Sequence, residues 1–139
     1  MGYTHYWEHG PISRTVFRDL ADDARRIVEM ARSAGYTVAG PMGIDEPKFD
    51  DFGVSLNGSQ DLWEDHETFE LTPNATDFDF CKTARKPYDA VVCAILLRAS
   101  LRVPGFIVTS NGDMNGDDWA EGRLLYAMTF DEPAPRIAR

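Results

Sequence analysis

The sequence predicts an α+β protein, a single two-layer domain in which helices cover one face of a mostly antiparallel sheet. Two long apolar stripes at helical spacing, several short segments of alternating polarity and the turn residues between them lead to this prediction. The chain has 139 residues, which suffices for one domain with a substantial core. We expect residues 1–130 to form the domain and residues 131–139 a loose tail. The predicted element order is β-α-β-β-β-α-β-α.

The first third of the chain predicts a strand followed by a well-defined helix. Residues 3–7 are rich in aromatic and β-prone side chains, and a Gly-Pro pair at 10–11 ends this strand. Ser13 can cap a helix that continues to about Ser33, and Gly35 lies where a left-handed residue would end it. The main apolar side chains at helical spacing are Val16, Leu20, Ala24, Ile27 and Ala31.

Three short strands are predicted in the middle of the chain. Residues 36–39 are rich in β-prone side chains, and residues 52–56 alternate apolar with small or polar ones. Residues 67–71 present two apolar side chains to the same side and are expected to pair with the preceding strand. The apolar members of the last two strands are Phe52, Val54, Leu56, Phe69 and Leu71. The expected loops are residues 42–49 and 59–66.

The last third predicts a helix, a strand and a shorter helix. Pro87 is suited to the first position of a helix, and an apolar stripe continues from it to about residue 101. Residues 106–109 then form a strand after a Pro-Gly pair. We expect a turn over residues 111–118 and a helix over residues 118–128.

Charge is distributed unevenly along the chain. The formal net charge is -9, and residues 45–79 contain eleven acids and one base, Lys48. Residues 80–110 contain five bases and one acid, Asp89. An acidic protein is repelled by a nucleic-acid backbone, so generic nucleic-acid binding is not expected. A solvated acidic face, or one that engages a basic partner, is expected for residues 45–79.

The cysteine count, the longest apolar runs and the N-terminus indicate the compartment and whether the protein enters a membrane. It has two cysteines, Cys81 and Cys93, too few for a disulfide framework. No apolar run approaches the roughly 20 residues needed to span a bilayer, and the N-terminus does not resemble a secretory signal. We therefore expect a cytoplasmic protein with no membrane partner. The sequence leaves the oligomeric state open.

A basic segment before the second predicted helix is the candidate site. Lys82, Arg85 and Lys86 lie within five residues, next to a helix start, where unpaired backbone N–H groups favour anions. They predict an anion site; the alternative is a solvated patch that pairs with the acidic residues 45–79. Large aromatic residues either pack in the core or contact the ligand. The six predicted ligand-binding residues are His5, Trp7, Lys82, Arg85, Lys86 and Tyr88.

The sequence assigns no catalytic residue, metal site or cofactor. A metal site would need His5, His9 or His66 to converge with carboxylates such as Asp51 or Asp65, and their spacing does not imply this. The Cys81 thiol beside Lys82 would need a positioned histidine to act as a nucleophile, so a buried role is expected. Residues 113–117 lack the downstream glutamate of an EF-hand.

Three segments of the sequence carry a resemblance: the opening MGYTHYW, the central FCKTARKPYD at residues 80–89, and residues 108–113 with Trp119. Together they resemble a family of short proteins encoded by phages and prophages. The resemblance extends to about residue 128. It implies an accessory protein of a phage or prophage, which would act in the cytoplasm of a bacterial host. Counter-defence and host-takeover roles are common among such small acidic proteins.

Three functional hypotheses follow. The first is a non-enzymatic binding protein that recognises a host partner or an anionic, phosphate-bearing ligand such as a nucleotide, through residues 82–88. The second is an inhibitor whose acidic residues 45–79 occupy a basic site on a host protein. The third is a small phosphoester or nucleotide hydrolase, for which the sequence offers no general base or metal set.

Overall fold

Six strands and three helices build the fold in residues 3–138, the part of the chain that the computed structural model describes. Met1 and Gly2 of the N-terminal motif, and Arg139 of the predicted tail, lie outside the described residues. The strands are β1 (Thr4–His9), β2 (Lys48–Asp50), β3 (Gly53–Leu56), β4 (Phe69–Leu71), β5 (Thr76–Lys82) and β6 (Ile107–Ser110). The helices are α1 (Arg14–Ser33), α2 (Asp89–Arg102) and α3 (Ala120–Phe130). The predicted α+β class is confirmed.

β1 is the central strand of a three-stranded antiparallel sheet with the order β5-β1-β6. Tyr6 on β1 pairs with Phe80 on β5 and with Thr109 on β6. Residues that pair across an antiparallel sheet share a face, and successive residues alternate between faces. This places Trp7 and Val108 on an inner face, where both are buried, and Tyr6, Phe80 and Thr109 on an outer face.

The second sheet is also antiparallel and has the order β2-β3-β4. Val54 and Leu56 on β3 pair with Leu71 and Phe69 on β4, and all four side chains are fully buried. The alternation of apolar with small or polar residues that predicted β3 and β4 therefore directs one face of this sheet into the core.

Helix α1 has the bounds and the signals that the sequence predicted. The Ser13 side chain accepts a hydrogen bond from the Val16 amide at 3.3 Å, which caps the first turn. Gly35 follows the helix with a φ of 98°, in the left-handed region where glycine is favoured. Leu20 and Ile27 on the apolar stripe are buried.

Helix α2 lies at the centre of the protein. Every residue from Ala90 to Ala99 is buried, as expected of a helix that is covered on all sides. The one charged residue in this stretch, Arg98, donates to Asp23 of α1 at 2.7 Å and to the Tyr126 hydroxyl of α3 at 2.9 Å. Because one guanidinium satisfies groups on two neighbouring helices, it fixes how all three pack. No helix within residues 3–138 is long and apolar enough to cross a membrane.

Two of the predicted elements in the middle of the chain differ in the structure. The strand expected at 36–39 is reduced to one antiparallel bridge between Ala39 and Asn57. The loop expected at 42–49 contains the start of β2, which adds an edge strand to the second sheet. Phe52 lies in the turn between β2 and β3 and is exposed, so the strand that follows begins one residue later than the alternation implied.

Strand β5 was not predicted, because its polarity pattern is the reverse of the usual one. Phe78 and Phe80 point to the outer face and are exposed, whereas Cys81 is buried on the inner face. Asp79 separates the two aromatic residues and Asp77 precedes them, so no apolar set marks a buried side. Helix α2, in turn, begins at Asp89, two residues after Pro87.

Residues 131–138 contain no helix or strand and lie against the domain. The Arg123 guanidinium donates to the carbonyl groups of Ala134 and Pro135 at 2.9 Å each. Asn115 both donates to and accepts from the backbone of Ile137, whose side chain is buried. These bonds hold the segment beside α3.

Leu96→Ala tests whether α2 is the centre of the core. Leu96 is fully buried, so the truncation is expected to lower the free energy of unfolding by about 2–5 kcal/mol, measured by chemical denaturation. Leu101→Ala is the matched control, because Leu101 lies on the same helix but is half-exposed. The control is expected to cost less than about 0.5 kcal/mol. Similar losses from the two variants would contradict this placement of α2.

Candidate functional site

The three cations of the basic segment diverge in the structure. The Arg85 guanidinium lies over the Tyr3 ring, 3.9 Å from its centroid, and 3.4 Å from the Asp118 carboxylate. The Lys86 ammonium donates instead to the Trp63 carbonyl at 3.3 Å. Lys82 pairs with Thr4 at the end of β5, on the outer face of the first sheet. The segment therefore has no single point at which all three charges meet.

The other three predicted ligand-binding residues lie inside the protein. His5, Trp7 and Tyr88 are each no more than 2% exposed. Burial raises the pKa of the Tyr88 hydroxyl far above its ordinary value, and this hydroxyl donates to the Glu67 carbonyl at 2.5 Å. The Trp7 ring packs on Phe69 with 5.3 Å between centroids. These side chains support the basic segment and the first sheet from within.

The amides at the start of α2 are already hydrogen-bonded within their own turn. The Asp89 amide donates to the Lys86 carbonyl at 2.8 Å, and the Val91 and Val92 amides both donate to the Tyr88 carbonyl. An anion at this helix end would have to compete with these bonds. Recognition of an anionic ligand by residues 82–88 stays a prediction.

Two consecutive residues of the basic segment have left-handed backbone conformations. Ala84 and Arg85 have φ values of 52° and 58°. The amides of Thr83 and Ala84 both donate to the Tyr3 carbonyl, at 3.0 and 3.3 Å, which holds the turn against β1. An L-residue in this region costs about 1–2 kcal/mol, so the surrounding contacts impose the conformation.

Ala84→Gly tests this strain. Removing Cβ relieves about 1–2 kcal/mol in the folded state, while the added freedom of the unfolded chain costs about 0.5–1 kcal/mol. We expect a small net rise in melting temperature, measured by calorimetry. Ala127→Gly, in α3, is the control and is expected to lower stability by about 1 kcal/mol. A drop for Ala84→Gly as large as that of the control would show that the turn is unstrained.

A buried polar cluster lies directly behind the basic segment. The Nε2 atom of His5 is 2.6 Å from Oδ1 of Asp89, and Nδ1 of His5 is 2.8 Å from Oγ of Ser110. The Thr83 hydroxyl donates to the same Asp89 oxygen at 2.6 Å. Ser110 Oγ also accepts from the Gly112 amide at 3.0 Å and from the Trp119 indole N–H at 3.3 Å. Because a carboxylate only accepts, the hydrogen between Nε2 and Asp89 belongs to Nε2 of His5.

Cys93 completes the cluster from one turn further along α2. Its sulfur lies 3.6 Å from Nε2 of His5 and 3.6 Å from Oδ2 of Asp89. Burial and the Asp89 carboxylate raise the pKa of the Cys93 thiol well above its ordinary value. The thiol therefore stays protonated and is a poor nucleophile. Burial likewise raises the pKa of the Cys81 thiol, to about 12, so the buried role expected for Cys81 agrees with its surroundings.

A cleft of about 250 Å³ opens above Asp89. The Asp89 side chain is 14% exposed and is the member of the cluster that reaches it. Arg85 and Asp118, which are bonded to each other, form part of its wall. The other lining residues are Tyr36, Lys86, Pro87, Ala90, Glu121 and Gly122. Acidic groups outnumber basic ones around this opening.

The outer face of the first sheet is a second candidate site. The Phe78 ring contacts Tyr6 and Phe80, with centroids 5.6 and 5.7 Å apart. Phe78, Phe80 and Ile107 are 65%, 48% and 52% exposed. Glu8 pairs with Ile107 across the two strands and lies on the same face. We call this surface the aromatic face; it comprises Tyr6, Glu8, Asp77, Phe78, Phe80, Ile107 and Thr109.

A groove of about 270 Å³ follows the aromatic face between β1 and its neighbours. Glu8 and Asp77 are the charged residues among those that line it, and both are acidic. The remaining lining residues are Tyr6, Trp7, Phe78, Ile107 and Thr109. The groove thus combines the exposed side chains of Phe78 and Ile107 with negative charge.

Sequence reasoning did not identify Thr83, Asp89, Cys93 and Ser110 as members of the buried cluster around His5. Asp89 and Ser110 lie 84 and 105 residues from His5 in the chain, so no local pattern joins them. One signal was available, because Asp89 and Cys93 are four residues apart and share a face of a predicted helix. The aromatic face was missed together with β5.

Comparisons of the chain with protein-family models, curated proteins and solved structures found no match.

Proposed function

We propose that the protein is a non-enzymatic binding protein whose aromatic face recognises a basic segment of a partner protein. The observation that carries this proposal is a cluster of rings on an open sheet face: exposed Phe78 and Phe80 with half-buried Tyr6, beside exposed Ile107. Contiguous exposed apolar surface of this kind is typical of interaction sites. Tyrosine and phenylalanine rings contribute much contact area with few rotatable bonds.

Charge indicates which partner suits the face. Glu8 and Asp77 line the groove beside the rings, and the whole chain has a net charge of -9. Arginine and lysine side chains pair with carboxylates and also stack on aromatic rings. A nucleic-acid backbone, or a second copy of this acidic chain, would bring like charges together at the groove. A basic polypeptide is the occupant that both features favour.

This proposal combines two of the hypotheses drawn from the sequence. Asp77 belongs to the acidic stretch 45–79, which was expected to occupy a basic site on a host protein. The resemblance to phage and prophage accessory proteins supports a bacterial host protein as that partner. Binding to it would block or recruit the partner, and no chemical step on the face is required.

Titration with a hexa-arginine peptide tests the proposal. We expect amide shifts in the NMR spectrum to concentrate on β5, β1 and β6, around Tyr6, Phe78 and Ile107. Phe78→Ala is expected to weaken binding about fivefold, since a cation–ring contact contributes about 1 kcal/mol. Phe52→Ala is the matched control, because Phe52 is exposed and follows two acids but lies outside the aromatic face. This control is expected to bind like the parent chain.

Three results would contradict the proposal. Equal losses in the two variants would indicate binding by overall charge. Shifts confined to residues 82–88 on adding inorganic phosphate, with no response to the peptide, would support an anionic ligand instead. Dimerisation that Phe78→Ala abolishes, seen by analytical ultracentrifugation, would identify a second copy of the chain as the occupant.

A further inference from the structure

Three metal-ligating atoms of different chemistry meet in the buried cluster behind the basic segment. They are Nε2 of His5, a carboxylate oxygen of Asp89 and the sulfur of Cys93, and they all lie within 4.8 Å of one another. The sulfur is 3.6 Å from Nε2 and 3.6 Å from Oδ2 of Asp89. Ligand atoms on a tetrahedral zinc ion are roughly 3.3–3.6 Å apart, given bonds of about 2.0–2.3 Å. The separation of the sulfur from Nε2 already has this value, and so does its separation from Oδ2.

The Asp89 carboxylate can offer either of its oxygens. Oδ1 is hydrogen-bonded to Nε2 of His5 at 2.6 Å, so an ion held by this oxygen would widen that distance by roughly 0.7 Å. The Asp89 side chain lies at the first turn of α2 and is partly exposed, which gives it room for such a movement. His5, on the central strand, is fully buried.

Groups behind two of the ligands are placed to orient them. Ser110 holds the other ring nitrogen of His5 at 2.8 Å, and Thr83 holds Asp89 at 2.6 Å. Metal-ligating histidines and carboxylates typically have such hydrogen-bonded partners, which fix the ring and the carboxylate. The three ligands also come from two rigid elements, β1 and α2.

We infer that His5, Asp89 and Cys93 bind a divalent transition-metal ion, with Zn²⁺ as the ion that their nitrogen, oxygen and sulfur donors suit best. On binding, the Cys93 thiol proton passes to solvent and the imidazole hydrogen moves from Nε2 to Nδ1, where the Ser110 hydroxyl turns its own hydrogen away and accepts it. A carboxylate and a thiolate then neutralise the two charges of the ion.

The cleft gives a cation a way to the cluster. Asp89 lines it, and Asp118 and Glu121 add two more carboxylates to the lining. Of the two cations there, Arg85 is bonded to Asp118 and Lys86 to the Trp63 carbonyl. The site is independent of the aromatic face, which lies on the other side of the same sheet, so either proposal can fail without the other.

Titration of the chelator-treated full chain with Co²⁺ and Zn²⁺ tests the inference. We expect one ion per chain, a rise in melting temperature with Zn²⁺, and the visible and near-ultraviolet absorption of a cobalt–thiolate centre with Co²⁺. Cys93→Ala and His5→Gln are expected to abolish the thiolate absorption and to weaken Zn²⁺ binding at least about tenfold. Cys81→Ala and His66→Gln are matched controls on the other buried thiol and an exposed histidine, and should bind like the parent chain.

Circular dichroism of each variant establishes that it is folded, and Cys93→Ala, which removes only one sulfur atom, is the variant least able to disturb the core. Zn²⁺ binding that survives in folded Cys93→Ala would place the ion on surface carboxylates and overturn the inference. Loss of the cobalt–thiolate absorption in Cys81→Ala alone would overturn it as well, as would the absence of any Co²⁺ or Zn²⁺ binding to the parent chain.

Discussion

The hydrogen bond between His5 and Asp89 joins the first sheet to the central helix, and the rest of the structure packs around these two elements. His5 lies on the central strand of the first sheet, and Asp89 is the first residue of the central helix. Ser110 and Thr83 extend this bond to β6 and to the end of β5. Because the cluster is buried, losing one member would leave a polar group without its partner, at a cost of about 1–3 kcal/mol or more for a charged group. This constraint fixes where α2 begins and how the basic segment turns.

Strand β1 contributes side chains to both proposed sites, to the buried cluster from its inner face and to the aromatic face from its outer face. Its inward residues include His5, which reaches the buried cluster, and Trp7, which packs in the core. Its outward residues Tyr6 and Glu8 belong to the aromatic face. Successive side chains of a strand point to opposite faces of the sheet. A central strand with one covered face therefore has to divide its residues between the core and the surface in this way. A change that shifted the register of β1 by one residue would therefore disrupt both sites together.

The helices and strands β3 and β4 could be predicted from the sequence, whereas the two sites could be predicted only in part. The stripe of α1 and the alternation in β3 and β4 are local patterns that burial on one side imposes. By contrast, the partners of His5 come from distant segments, and β5 displays its rings to solvent, so no buried side marks it. The basic segment was correctly placed before α2, but the left-handed turn at Ala84 and Arg85 separates its cations. That conformation depends on tertiary contacts with Tyr3, which no local pattern encodes.

A double-mutant cycle on His5 and Asp89 tests the central claim most directly. The variants are His5→Phe, which keeps a ring of similar shape without its nitrogens, Asp89→Ala and the combination, and the free energy of unfolding of each is measured in urea. If the bond joins the sheet to the helix, the double variant is less destabilised than the sum of the single variants by about 1.5–3 kcal/mol, the range for a hydrogen bond to a charged group. Additive losses would contradict the account, because they would mean that His5 and Asp89 stabilise the fold independently.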